Sequence, residues 1–214
     1  MNNQHFIFDL DGTLWDATTI IATSWNKTLS ADGRYTKEIT SDLLKKEFGK
    51  TISTIADNIF SEFEKSTRDE LIEKCLLSQE RDLQLTANRI IYPHVLETLR
   101  ALSERNNIYI VSNCQSGYIE LFIDKYNLKD LVTDIECFGN TGKCKADNIV
   151  SLMKRNNIKD AFYIGDTMGD CEAAAKAGIP FIHASYGYGE VNSCYLKITE
   201  ISQLLSLSMN PSFN

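Results

Sequence analysis

The apolar positions of the chain gather in short continuous runs, separated by stretches in which apolar and polar residues alternate at helical spacing. Four runs rich in β-branched and aromatic residues predict buried strands, because a strand covered on both faces is apolar along its length. They are HFIFDL at 5–10, NIYIVSN at 107–113, DAFYIGD at 160–166 and IPFIHAS at 179–185. A weaker run, LVTDIECFG at 131–139, is a candidate for one more strand.

Helical patterns fill the gaps between the later runs. Pro93 stands at the expected first helical position of PHVLETLRALSERN. Three further stretches have helical spacing, namely GYIELFIDKYNL at 117–128, KADNIVSLMKRNN at 145–157 and GDCEAAAKAG at 169–178. Alternation of strand and helix over residues 90–190 predicts a parallel sheet with helices on both faces. We therefore expect an α/β fold with a Rossmann-like parallel sheet core.

Residues 16–90 do not follow this alternation. They contain helical patterns, such as STRDELIEKCLLSQERDL at 66–83, without a convincing strand. The simplest arrangement is an α-helical domain at 16–90 that is inserted into the α/β protein. Residues 1–15 and 91–214 would then form one core domain.

Composition narrows the class of protein further. The 214 residues carry a net charge of −7, so the average field repels nucleic acid and anionic membranes, and we expect neither as a partner. The sequence shows no secretion signal and no apolar run of about 20 residues. Six cysteines without a CxxC pair fit reduced thiols, so a cytoplasmic location is expected. Oligomeric state leaves no signal in the sequence.

Two acidic pairs follow predicted strands. Asp9 and Asp11 end the first strand two residues apart, so their side chains point to the same side. Asp166 ends a later strand, and Asp170 stands four residues on, in the first turn of the next helix. Ligands bind at the carboxyl ends of strands in open α/β sheets. Four carboxylates crowded there need a cation, and an all-oxygen ligand set favours Mg²⁺.

Further residues in the same segments suit a phosphate group. Ser112 offers a hydroxyl at a strand end, and Gly12 and Thr13 form a turn whose backbone N–H groups can approach an anion. A lysine in GKCK, either Lys145 or Lys143, precedes a helix and can offset the negative charge. The expected partner is therefore a small phosphorylated metabolite.

These segments resemble, in order, the four motifs of the haloacid dehalogenase superfamily of phosphohydrolases. FDLDGT at 8–13 is similar to the first motif and IVSN at 110–113 to the second. GKCKADNI at 142–149 is similar to the third, and IGDTMGD at 164–170 to the fourth. The third differs most, because neither of its lysines is followed by the usual proline. The position next to the helix start favours Lys145 over Lys143.

The resemblance implies a role for each matching residue. Asp9 would be the nucleophile that forms an aspartyl phosphate, and Asp11 the general acid and base. Lys145 would complete the catalytic set. Mg²⁺ would be held by Asp9, Asp11 through its backbone carbonyl, and Asp166, with Asp170 as outer support or additional ligand. The resemblance further implies that phosphate is bound by Gly12, Thr13, Ser112, Asn113 and Lys143.

The helical segment after the first strand is similar to the cap of the phosphoglycolate phosphatase branch, as is AGIPFIHASYGYG at 177–189. The predicted activity is therefore Mg²⁺-dependent hydrolysis of a small phosphate monoester, either phosphoglycolate-like or a sugar phosphate. Two alternatives remain open. A sugar phosphomutase of the β-phosphoglucomutase type shares the same motifs, and a catalytically silent phosphate-binding regulator would share the fold.

Overall fold

The computed structural model describes residues 3–208. Its centre is a six-stranded sheet in which all neighbouring strands run parallel, in the order β3-β2-β1-β4-β5-β6. The strands are β1 (His5–Phe8), β2 (Asn107–Ser112), β3 (Val132–Cys137), β4 (Phe162–Gly165), β5 (Phe181–Ala184) and β6 (Leu196–Ile198). The predicted α/β fold class is therefore confirmed, and the weaker candidate strand is β3.

Helices cover both faces of the sheet, as the alternation predicts. They are α5 (Val95–Ser103), α6 (Tyr118–Tyr126), α7 (Phe138–Thr141), α8 (Lys145–Arg155), α9 (Met168–Ala177) and α10 (Leu204–Ser208). Alternate side chains of β1 point to opposite faces of the sheet and so belong to different sides of the core. Phe6 and Phe8 join the cluster that contains α5 and α6, whereas Ile7 joins the cluster that contains α8 and α9. The apolar runs are continuous because both faces are buried.

Two details at the element boundaries differ from the sequence predictions. Pro93 is not the first helical residue of α5, because His94 adopts a left-handed backbone (φ 62°) and the helix begins at Val95. The strand expected over 5–10 ends at Phe8. The chain then turns, so that Leu14 N donates to the Leu10 carbonyl at 2.8 Å.

Four helices lie between β1 and α5, namely α1 (Thr18–Asp32), α2 (Ser41–Glu47), α3 (Ile52–Ile59) and α4 (Lys65–Leu85). Apolar side chains such as Trp25, Leu29 and Leu71 are buried among them. This all-helical segment is the predicted cap, and its domain boundaries remain a prediction. Within residues 3–208, no helix combines the length and the apolar character that a bilayer span requires.

Candidate active site

The acidic residues of the first and fourth motifs meet at the carboxyl end of the sheet. One carboxylate oxygen each from Asp9, Asp166 and Asp170 lies within 4.8 Å of the others, and all three side chains are buried. The meeting follows from topology, because β1 and β4 are neighbours. Asp9 itself continues the pairing beyond the strand end, since its backbone N–H donates to the Ile164 carbonyl at 2.8 Å.

Lys145, the first residue of α8, is the lysine that enters this cluster. Its Nζ lies 2.9 Å from Asp9 Oδ1 and 2.5 Å from Asp170 Oδ1, and its side chain is buried. Lys143 is exposed, and the hydrogen bonds it makes are those of its backbone, one of them from its N–H to Thr141 Oγ1. Of the two candidate lysines, the structure thus brings only Lys145 to the aspartates.

Burial sets the protonation of the cluster. Desolvation raises the pKa of Asp9 to about 6, even though Lys145 lowers it. Burial and then the neighbouring charges of Asp170 and Asp9 raise the pKa of Asp166 well above its usual value. Burial opposes the ammonium of Lys145, but the two carboxylates it contacts hold its pKa well above the usual range. One lysine therefore does not neutralise three carboxylates.

Asp170 is held differently from the other two carboxylates. Lys145 contacts one of its oxygens, and the backbone N–H and hydroxyl of Thr167 donate to the other at 3.0 and 2.7 Å. This second contact is half of a capping box that starts α9, because Thr167 Oγ1 in turn accepts from Asp170 N. Burial would raise the pKa of Asp170, but Lys145 and Thr167 bring it below its usual value.

Asp11 faces a separate set of partners. Trp15 Nε1 and Tyr118 Oη both donate to its Oδ1, at 2.9 and 3.0 Å. Burial, followed by the charge of Asp9, raises the pKa of Asp11 to about 8, against the lowering effect of these two donors. Asp9 and Asp11 thus lie two residues apart, and Asp11 has the higher pKa of the two.

The turn after β1 packs directly on Asp166. Gly12 has φ 82°, and a Cβ at this position would lie 2.1 Å from Asp166 Oδ2. The hydroxyl of Thr13 donates to Asp166 Oδ1 at 3.4 Å, and the backbone N–H of Tyr188 donates to Oδ2 at 2.7 Å. Gly187 packs on the other side of Asp166, where only glycine fits, because a Cβ at this position would lie 2.3 Å from Asp166 Cβ.

The remaining predicted phosphate residues line a small cavity of about 30 Å³ between the sheet and the helical segment. Ser112 and Asn113 stand on its sheet side together with Asp11. Asn113 Nδ2 donates to the Gly49 carbonyl at 2.7 Å, so this residue also links the sheet edge to the chain between α2 and α3. Its Oδ1 is buried without a hydrogen-bond partner within the described residues.

The cluster suits a divalent cation on the chemistry of its donors. Its candidate ligand atoms are all carboxylate oxygens, and the excess negative charge is buried. Hard ions such as Mg²⁺ take such oxygen ligands. Asp170 is the least available of the three as a ligand, because Lys145 contacts one of its oxygens and Thr167 donates twice to the other. Asp166 accepts hydrogen bonds from Thr13 and Tyr188 but makes no ion pair with a described residue, so its charge is free to serve a cation.

Several contributors to the site have no signal in the sequence pattern. Tyr118 reaches Asp11 across 107 residues of chain, and Tyr186 Oη donates to the Thr13 carbonyl at 2.9 Å. An aromatic residue at the start of a helix is equally consistent with packing in the core. For the loop that contains Tyr186, the two glycines of YGYG at 186–189 are the one indication in the sequence, because a backbone that approaches other groups closely requires glycine.

Fold and site together define an α/β protein whose acidic centre, bridged by a lysine, lies where the sheet order changes direction beside β1. A family model described as haloacid dehalogenase-like hydrolase matches residues 6–184. The chain therefore belongs to the haloacid dehalogenase-like hydrolases, and the prediction of a hydrolase of this superfamily is confirmed.

Individual relatives agree with this assignment. The chain is 27% identical over 195 residues to a phosphoglycolate phosphatase of Agrobacterium fabrum, covering 86% of this chain and 82% of that protein. It is 29% identical over 196 residues to a phosphoglycolate phosphatase of Aquifex aeolicus, covering 87% of each. A predicted phosphoglycolate phosphatase from Haemophilus somnus has the same fold, with a TM-score of 0.81, 18% identity and coverage of 96% and 98%.

Proposed function

We propose that this protein is a Mg²⁺-dependent phosphatase that hydrolyses a small phosphate monoester through an aspartyl phosphate on Asp9. The observation that carries the proposal is the buried contact of Lys145 with both Asp9 and Asp170 beside Asp166. Buried charges in such density are costly unless they serve a ligand. The phosphatase relatives, at 27% and 29% identity, support the reaction class.

Asp9 is the proposed nucleophile. Lys145 Nζ contacts its Oδ1 at 2.9 Å, so the orientation of the carboxylate is set before substrate binds. With a pKa of about 6, Asp9 is mainly ionised at neutral pH. Attack on phosphorus forms the Asp9–phosphoryl bond while the ester bond to the leaving oxygen breaks, which divides hydrolysis into two easier steps.

Asp11 is the proposed acid and base. A pKa of about 8 keeps it largely protonated at neutral pH, so it can give a proton to the leaving oxygen. Both of its hydrogen-bond donors, Trp15 and Tyr118, occupy Oδ1, which leaves Oδ2 for proton exchange. Once ionised, the same carboxylate can take a proton from the water that hydrolyses the Asp9 phosphoryl group.

Asp9, Asp166 and the backbone carbonyl of Asp11 would hold the metal ion, with Asp170 as support through Lys145. A bound Mg²⁺ would offset the negative charge that develops on the phosphoryl oxygens. Gly12 and Thr13 keep Asp166 in place, and Thr13 and Ser112 are the proposed phosphate contacts of the chain. Lys143 is not retained in this role, because it is exposed on the surface.

The cavity favours a small leaving group. Its volume of about 30 Å³ leaves room for only a few non-hydrogen atoms while Asn113 contacts Gly49. Helices α1 to α4 would have to move away for a substrate to enter and return to exclude water. A phosphoglycolate-like ester needs a smaller displacement of these helices than a hexose phosphate does, so we place the smaller ester first among the candidate substrates.

Hydrolysis of p-nitrophenyl phosphate with Mg²⁺ and with EDTA tests this proposal. We expect turnover with Mg²⁺, loss of turnover in EDTA, and recovery when Mg²⁺ is restored. Asp9→Asn should abolish turnover, whereas Asp160→Asn, at an exposed carboxylate before β4, should retain it. Absence of metal-dependent turnover with this ester and with phosphoglycolate would favour the silent phosphate-binding alternative and overturn the proposal.

A further inference from the structure

Gln79 is a buried polar residue on the side of the cavity that the helical segment forms. It lies in α4, its side chain is only 3% exposed, and it lines the same cavity as Asp11 and Ser112. Apolar neighbours in this wall include Phe48, Ile52 and Ile55. A polar group buried among apolar side chains costs free energy unless it has a hydrogen-bond partner.

Trp25 determines which way the Gln79 amide points. The indole Nε1 of Trp25, a buried residue of α1, lies 2.8 Å from Gln79 Oε1. Because an indole N–H can only donate, the atom that faces it must be the amide oxygen. The Nε2 group is therefore the half of the amide that does not contact Trp25, and none of the hydrogen bonds within residues 3–208 involves it.

Gln79 lines the cavity from the helical segment, whereas Asp11 and Ser112 line it from the sheet side. Asp11, on the other wall, is the group that exchanges a proton with the leaving oxygen under the proposed function. The remainder of the leaving group then extends toward Gln79. Lys50 lines the same cavity, and its ammonium is paired with Glu47 at 2.9 Å.

We propose that Gln79 is a specificity-determining residue that donates a hydrogen bond from Nε2 to an acceptor oxygen on the leaving group. The inference rests on the proposed function, since it concerns the alcohol half of the same ester. A leaving group with a carboxylate or hydroxyl satisfies the amide, whereas an alkyl group of equal size leaves it unpaired. Sites that hydrogen-bond a substrate group discriminate strongly against analogues that lack it.

Three esters of similar size test the inference, namely phosphoglycolate, 2-hydroxyethyl phosphate and ethyl phosphate. Wild-type protein should have a higher kcat/KM for at least one of the two oxygen-bearing esters than for ethyl phosphate. Gln79→Leu should reduce that preference roughly 10- to 100-fold, mainly through KM. Its kcat/KM for ethyl phosphate should change about threefold or less, because no hydrogen bond to that ester is lost.

A second variant separates specificity from folding. Gln79→Leu alone leaves the Trp25 indole N–H unpaired, whereas Trp25→Phe combined with Gln79→Leu removes both partners and restores an apolar contact. The double variant should have a melting temperature close to wild type and the same loss of preference. A stable double variant that keeps the wild-type preference overturns the inference.

Failure of the proposed function gives a different result. Wild-type protein that turns over neither these esters nor p-nitrophenyl phosphate overturns the phosphatase proposal, and the role of Gln79 with it. Wild-type turnover without preference for an oxygen-bearing ester, or equal losses on all three esters in Gln79→Leu, overturns the role of Gln79 alone.

Discussion

Two groups of paired charges in the described part of the chain use similar residues in different surroundings. At the carboxyl end of the sheet, Lys145 contacts Asp9, and both side chains are at most 5% exposed. Beside α1 and α4, Arg34 contacts Asp32 and Glu70 at the surface. The distances are alike, 2.9 Å in the first group and 2.6 and 2.8 Å in the second.

One carboxylate from each group shows the contrast, because the pKa values of Asp9 and Glu70 shift in opposite directions. Burial raises the pKa of Asp9 to about 6 in spite of its lysine, whereas the Arg34 guanidinium lowers the pKa of Glu70 to about 2. Water screens the charges of the surface group, and the positive charges in that group balance its negative charges. The buried group carries more negative charge than Lys145 can neutralise. Under the proposed function a bound cation offsets this excess negative charge, whereas the surface group needs none.

Replacing each of two neighbouring lysines should produce the largest contrast. Lys145→Met should lower kcat by roughly 10²- to 10³-fold, because it removes a buried cation from the reacting carboxylate. Lys143→Met should leave kcat within about twofold, because that side chain is exposed. Steady-state kinetics on p-nitrophenyl phosphate would measure both. Equal losses in the two variants would contradict the assignment of the motif lysine.

The metal-free protein should lose stability as pH rises. Asp9 and Asp11 have folded-state pKa values of about 6 and 8, above the value of 3.8 for an unperturbed carboxyl. The folded state therefore holds protons that the unfolded state releases, so stability falls between about pH 4 and pH 8, by on the order of several kcal/mol.

Urea unfolding in EDTA at pH 5 and pH 8 would measure this slope. Mg²⁺ should stabilise the protein more at pH 8, where it favours the ionised carboxylates. Asp11→Asn should flatten the slope, since the amide does not titrate. A metal-free protein that becomes more stable toward pH 8 would contradict the pKa order of the site.

Two glycines with nearly equal backbone angles offer a matched pair. Gly12→Ala should destabilise the protein by ~2 kcal/mol or more, because the new Cβ meets Asp166 Oδ2 and φ is 82°. Gly33→Ala has φ 80° but no atom within 4 Å, so it bears the backbone strain alone. Thermal unfolding of both variants would isolate the contact. A Gly33→Ala variant as destabilised as Gly12→Ala would argue against close packing on Asp166.

The surface group should give the smallest effect. Arg34→Met removes the contacts with Asp32 and Glu70, yet we expect a melting temperature within roughly 2 °C of wild type. Activity should be unchanged, because these residues lie outside the cavity. Differential scanning calorimetry at low and high salt would check the shift. A fall in kcat comparable with that of Lys145→Met would contradict the distinction between the buried and the surface group.

The sequence predicts the sheet far better than the contacts across the cavity. Four of the six strands carry the long apolar runs that both-sided burial imposes. β3 is more polar and only partly buried, and β6 at the sheet edge has only three residues and no such run. Asp9 and Asp166 are predictable because their motifs directly follow strands. The choice between Lys143 and Lys145 needs the structure, because one helix start decides which side chain points inward.

Residues that face the cavity from α4 are hidden from pattern analysis for a physical reason. Many polar side chains are spread around this helix, so Gln79 does not stand out from exposed neighbours such as Glu80. Its burial depends on Trp25, which is 54 residues away. Long-range partners of this kind, like Tyr118 for Asp11, are fixed only when elements far apart in the sequence pack against one another.

Trapping of a phosphorylated protein tests the central claim most directly. Rapid acid quench during turnover of ³²P-labelled p-nitrophenyl phosphate with Mg²⁺ should leave label on the wild-type protein. Hydroxylamine should release that label, as expected for an acyl phosphate, and Asp9→Asn should carry none. Wild-type turnover without any label at the earliest times, or equal labelling of Asp9→Asn, would contradict Asp9 as the nucleophile.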